Sequence, residues 1–302
     1  MQSTEQIESP EVQYPGNPHG VILCADDYAM TEGVSTGIEQ LIDAGRLSAT
    51  SALATTDHWP SHARRVIRWR PQLAIGLHFN LTLGAPLGPM PVLAASGTFP
   101  SLPALVKTAL AGRLDEDEIS AELTRQLDRF EDELGARPDM IDGHQHVHVL
   151  PQVRVAFLRT LARRYPCVKP LLRDPADSPV AITARGVAVS KALGLAALAT
   201  GFGARARSMG FPTNRGFSGV SPFDEGVPYG QELERFLVRP GPLHMLMCHP
   251  GNPDEELARI DPVVMRRRAE LETLLNASNL PELIRLPTRT KAGWIPWDEL
   301  DA

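Results

Sequence analysis

Two hydrophobic rhythms alternate along this chain. Short apolar runs read as buried strands: GVILCA (20–25), LSATSALATT (47–56), LAIGLHFNLTL (73–83), DMIDGHQHVHVL (139–150), CVKPLLR (167–173), LHMLMCHPG (243–251) and ELIRL (282–286). Between them, apolar residues recur every three or four positions. TEGVSTGIEQLIDAGR places Val34, Ile38, Leu41 and Ile42 on one face, with Thr31 as its N-cap. DEDEISAELTRQLDRFEDELG is the clearest helix: Asp115 and Glu118 suggest a capping box, Ile119, Leu123, Leu127 and Phe130 mark a face, and Gly135 ends it. SHARRVIRWR, PQVRVAFLRTLARRY and residues 261–275 also read as helices. Residues 84–113, rich in Pro and Gly, read as a long loop with a short helix over 102–110. Residues 183–210 read as an Ala/Gly/Arg-rich helical stretch, and PTNRGFSGVSPFDEG as a surface loop able to cover a site.

Alternating β and α segments predict an α/β fold with a largely parallel sheet covered by helices. A doubly wound sheet and a closed (β/α) barrel both satisfy this rhythm. The first eighteen residues are polar and proline-containing, which predicts a disordered N-terminal arm (1–18) before a single domain (19–302).

Composition narrows the functional classes. With 43% hydrophobic residues among 302, the chain can bury a full core. A net charge of −6 gives no basic stripe for nucleic acid. The clusters Arg64-Arg65 and Arg266-Arg267-Arg268 read as solvated helix faces. Three widely spaced cysteines argue against a disulfide framework, and Cys24 and Cys248 read as small core residues. No run reaches the length of a membrane span, and residues 1–18 lack the features of a signal peptide, so a cytoplasmic location is expected.

The chemistry-bearing residues sit where the apolar runs stop. Asp26 and Asp27 end the first run, His78 the third, Asp142, His144, His146 and His148 the fourth, and His249 a late one. If the strands are parallel, these ends share one pole, where active sites form. Each has an ordinary explanation alone: paired aspartates can cap a helix, and a histidine run can be a solvated loop. Together they suggest a three-ligand divalent metal site with open positions, one carboxylate and two imidazoles. A cation would also offset the repulsion between Asp26 and Asp27, and the second aspartate could then act as a base on water.

ILCADDYAM, AIGLHFNLTLGAPL, MIDGHQHVHVLPQV and LMCHPG resemble, in order and spacing, the signatures of the YdjC-like carbohydrate deacetylases, the ChbG/HpnK group. That resemblance, over residues 20–290, implies a distorted, polysaccharide-deacetylase-like (β/α) barrel. It further implies a metal-dependent hydrolase removing N-acetyl groups from an amino sugar, either a chitooligosaccharide or a lipid-linked N-acetylglucosamine. Carried over, Asp27, His78 and His144 hold a divalent ion (zinc or magnesium), Asp26 is the base and His249 the acid. Tyr28, Phe79, Asp142, His146, His148 and Arg173 then stand as substrate-binding or supporting residues, with Trp59 a further ring for a sugar face. The chain departs from the family at Tyr28-Ala29, where Phe-Gly is usual, and at Gly143, where Ser is usual. The segment 183–210 is open to three readings: a lid, a membrane-facing segment or a packed helix. A homodimer is left open. The rival functions are a catalytically silent sugar-binding or regulatory protein and a two-histidine, one-carboxylate iron oxygenase.

Overall fold

The computed structural model describes residues 20–297. Seven strands form one parallel sheet: β1 (Ile22–Tyr28), β2 (Ala49–Ala52), β3 (Ala74–Phe79), β4 (Met140–Gly143), β5 (Leu171–Leu172), β6 (Phe217–Ser218) and β7 (Met245–Cys248). Their order is β5-β4-β3-β2-β1-β7-β6. The two edges draw together where Leu172 bridges to Thr213, just before β6. The sheet is therefore curled into an incomplete, distorted barrel with helices outside. The expected disordered arm, residues 1–18, lies outside the described residues.

Side-chain alternation along each strand separates two cores. Ile22, Cys24, Ala49, Ala74, Met140, Leu171, Met245 and Met247 form one buried cluster inside the curl. Leu23, Ala25, Ile75, Leu77, Ile141, Leu172, Leu246 and Cys248 join the larger cluster against the helices. Burial on both faces explains why these strands read as continuous apolar runs.

The opposite, amino-terminal pole is closed by Ile295 and Trp297, which pack into the inner cluster. Trp297 Nε1 donates to Asp139 O at 3.1 Å. Trp297→Ala should lower unfolding free energy by about 3–5 kcal/mol, read as a shifted urea midpoint at constant slope; a change under about 1 kcal/mol would show that the plug is dispensable.

Most helix boundaries follow the sequence signals. Thr31 caps Glu32–Asp43 by accepting from Val34 N, and Asp115 caps Glu116–Leu134, which ends on left-handed Gly135. The expected reciprocal half of that capping box is not made. Glu118 instead accepts the backbone N–H groups of Val92 and Leu93, pinning the long loop. The helical stretch at 183–210 is three short helices, Pro179–Arg185, Val189–Leu198 and Phe202–Ser208, separated at left-handed Gly186 and Gly201. ELIRL is not a strand: Leu280–Leu283 is helical, and only Ile284 bridges to Val21. Among the described residues no helix is long and apolar enough to cross a membrane.

Candidate active site

One pleat beyond Cys24, Met140 and Leu171, the inward positions become Asp26, Asp142 and Arg173, with Ser51 on β2 and His78 on β3 beside them. The Arg173 guanidinium bridges the two carboxylates. It contacts both oxygens of Asp26 at 2.6 Å and Asp142 Oδ2 at 2.6 Å. Asp142 Oδ1 lies 2.6 Å from His78 Nδ1, and Ser51 Oγ lies 3.0 Å from that nitrogen and 3.4 Å from Asp26 Oδ1. All five side chains are buried.

Alternation would send Asp27 to the opposite face of β1 from Asp26. A register shift between Ala25 and Tyr28 prevents this, and Asp27 adopts φ +69°. The bulge turns the second carboxylate back into the site. Ala29, where the family usually has Gly, also takes φ +66°. Each such left-handed non-glycine residue costs about 1–3 kcal/mol, a strain held here by the surrounding bonds. Asp27 Oδ1 then faces His144 Nδ1 at 2.9 Å and His78 Nε2 at 3.3 Å. Ligand atoms from Asp27, His78 and His144 all lie within 4.8 Å of one another.

This donor set fits a divalent ion. Metal–ligand bonds of about 2.0–2.2 Å bring ligand atoms to about 3–3.5 Å apart, comparable to the spacing of Asp27 Oδ1 and the imidazoles. The hydrogen bond from Nδ1 of His78 to Asp142 leaves Nε2 as the nitrogen available to an ion and raises its basicity. The other clustered carboxylates, Asp26 and Asp142 near Cys24, already surround the Arg173 cation.

Burial opposes charge throughout, and at Asp26, Asp27 and His78 the neighbouring charges outweigh it. Burial alone would raise the Asp26 pKa; Arg173, aided by His78, instead holds it well below the usual carboxylate range. Asp27 is likewise depressed, chiefly by Arg267 and His144 against burial. Burial would lower His78, yet Asp142 pushes it up to about 10. For His249 burial wins: its pKa falls to about 4 although Asp27 and Asp26 pull it upward.

Asp26, Asp27, His144, His146 and His249 line a cavity of about 510 Å³. Its other walls are largely aliphatic: Leu102 and Val106, Val149 and Leu150, and Leu195 and Leu198. PTNRGFSGVSPFDEG contributes Val220, Ser221 and Phe223 to this cavity.

Other expected residues stand elsewhere. Tyr28 is fully buried, its hydroxyl donating to Glu39 Oε1 at 2.7 Å, so it offers no ring to a ligand. Phe79 packs on Phe157 and Trp59 stacks on Phe130, both in the core. His148 supports the site from behind: its Nε2 lies 2.9 Å from Arg173 O, and its ring meets Phe157 and Phe202. A Cβ on Gly143 would come 2.8 Å from His148 Nδ1, so the absence of the usual Ser lets this ring lie against the strand.

Three contributors were not read from sequence. Ser51 sits in an unremarkable small-residue run. Arg267 donates to Asp27 Oδ2 at 2.7 Å and to Asp261 Oδ2 at 2.9 Å. Glu270 accepts the His249 backbone N–H at 2.6 Å, and burial pushes its pKa up to about 7 against the pull of that bond and of Arg266. The expected solvated face at 266–268 is thus corrected: Arg266 and Arg267 are buried, and only Arg268 is exposed.

The model of YdjC-like proteins matches residues 20–283. Curated chitooligosaccharide deacetylases from Enterobacter sp. (strain 638) and Citrobacter koseri are 37% and 39% identical over 144 and 133 residues. These matches cover 48% and 44% of this chain and 56% and 52% of the relatives, so the chain spans about half the length of the curated relatives it matches. A crystal structure from Enterococcus faecalis V583, described as a cellobiose-phosphate cleavage protein, superposes with a TM-score of 0.66 at 23% identity, covering 93% of this chain and 98% of that one. At that identity the likeness is one of fold.

Proposed function

Because this chain belongs to the YdjC-like protein family, we propose that it is a divalent-metal-dependent hydrolase that removes N-acetyl groups from an amino sugar. The observation that carries this reading is the convergence, at one cavity, of an Asp27–His78–His144 donor set, a separate carboxylate and a separate imidazole. The curated relatives named chitooligosaccharide deacetylases support the same substrate class.

Amide hydrolysis needs a nucleophile, stabilisation of the carbonyl oxygen and a proton for the amine. A metal held by Asp27, His78 and His144 supplies Lewis acidity and lowers the pKa of water. Two imidazoles favour zinc or another first-row ion over magnesium. Asp26, aimed by Arg173, accepts the proton of the attacking water. His249 delivers a proton to the departing nitrogen. With its pKa near 4 it is neutral in the free site at neutral pH, so it gains that proton within the turnover. The second aspartate and late imidazole are surplus to an iron oxygenase but necessary to a hydrolase.

The aliphatic walls favour a finer reading. A short polar oligosaccharide leaves Leu102, Val106, Leu195 and Leu198 uncovered, whereas an apolar aglycone covers them. The lipid-linked alternative is therefore the one this cavity supports better.

Acetate release from chitobiose, chitotriose and an alkyl-linked N-acetylglucosamine tests both levels. The expected result is zinc-dependent release, abolished by chelation and by His78→Ala, with KM lowest for the alkyl glycoside. Binding without acetate would make the protein a silent sugar binder, and iron-dependent oxygen uptake would make it an oxygenase. An alkyl glycoside no better than chitotriose would remove the lipid-linked reading only.

A further inference from the structure

The helix Met265–Asn276 lies outside the strands yet touches both sides of the site, through Arg267 on Asp27 and Glu270 on His249. We propose that Glu270 is a positioning residue for His249, fixing the imidazole where it can protonate the departing amine. This inference rests on His249 being the acid of the proposed reaction.

His249 is the first residue past β7, which ends at Cys248. Its N–H takes its partner not from a neighbouring strand but from the buried Glu270 carboxylate, Oε2 accepting at 2.6 Å. Among the described residues, no side chain is hydrogen-bonded to the imidazole itself. The ring is met edge-on by Phe223, with centroids 5.4 Å apart and planes at 79°. The aim of the imidazole therefore depends on its backbone anchor and on that one aromatic contact.

Both constraints lead back to the same helix. Phe223 stands at φ +58°, and its N–H donates to Ser221 Oγ at 2.9 Å. Ser221 Oγ in turn donates to Glu232 Oε2 at 2.7 Å, and Glu232 pairs with Arg266 Nη2 at 2.6 Å. Arg266 lies one turn from Glu270, with Nε 3.9 Å from Glu270 Oε1. It also donates to the carbonyls of Asp224 and Val227, which fixes the loop bearing Phe223. A misplacement of about 1 Å at a reacting group can cost about 10²-fold in rate, so such a frame has catalytic consequence without touching substrate.

The test compares two leaving groups. An amine needs the His249 proton; the phenolate of 4-nitrophenyl acetate does not. Glu270→Asp withdraws the acceptor by one methylene, and its kcat for the N-acetyl amino sugar should fall by about 10²-fold. KM, bound zinc and the Asp26-dependent part of the ester rate should stay near wild type. Glu270→Gln keeps a carbonyl acceptor and should remain within about threefold of wild type on the amide. Equal losses on amide and ester, or an unchanged amide rate in Glu270→Asp, would overturn the proposal. Should Glu270→Asp fail to fold, Phe223→Leu provides the second arm: a selective amide loss supports the frame, and a loss shared with the ester overturns it. Wild-type protein that releases no acetate from any amino sugar would sink the hydrolase reading and this inference together. Acetate release with an unchanged amide-to-ester ratio would overturn this inference alone.

Discussion

Asp26→Asn is expected to lower kcat for acetate release by about 10²–10⁴-fold, the range that a positioned general base supplies. The substitution keeps the shape of the side chain and one contact to Arg173, but it cannot take a proton from water. Bound metal should be unchanged, because the proposed donor set is Asp27, His78 and His144, and KM should move little. Arg173 makes this base a weak one, since the pair holds Asp26 well below the usual carboxylate range. Orientation is what the pair contributes in return: two contacts of 2.6 Å leave the carboxylate one pose. Turnover in Asp26→Asn within about threefold of wild type would remove Asp26 from the chemistry.

The second large effect falls on stability. Arg173→Met leaves Asp26 and Asp142 buried without their shared cation, and should cost about 3–5 kcal/mol in metal-free protein, measured by urea unfolding. The expected pH behaviour follows from the Asp26 shift. A depressed folded-state pKa means the stabilisation is fully present above the ordinary carboxylate pKa and is lost as pH falls through the lower folded value. The penalty in Arg173→Met should therefore be largest at neutral pH and shrink in strong acid. Removing all three charges together, as Asp26→Asn, Asp142→Asn and Arg173→Met, should recover most of the stability while leaving no activity. A loss below about 1 kcal/mol in the single variant would mean that the network is solvated rather than buried.

Much of this site was legible because polar residues interrupt apolar runs. Asp26, His78 and Asp142 follow inward-facing residues at a spacing of two, so parallel strands alone bring them to one pole. The barrel, rather than a doubly wound sheet, was not decidable from rhythm; the family resemblance favoured it, and the curl of the seven strands shows it. The proposal of Asp27 as a ligand came only through the resemblance, because alternation puts it on the wrong face and the bulge that corrects this leaves no sequence signal. Arg267 and Glu270 were hidden for another reason. A charged triplet on a helix ordinarily faces water, and the buried acids nearest Arg266 and Arg267, Glu232 and Asp27, lie far away in sequence. Tyr28 and Phe79 stayed open between a ligand and the core because aromatic residues at strand ends read alike whether they face a ligand or a helix; both rings are buried.

The sheet order also bears on how the chain is made. Once synthesised, β1 finds β2 within a few tens of residues, but its other neighbour, β7, appears only after more than two hundred further residues have been added. The floor of the barrel waits longer still, for Trp297. Until then β1 has one ladder open, and the inner cluster lacks its cover, a template for wrong pairing. Nascent chains stalled before residue 245 should thus need shielding that the finished protein does not.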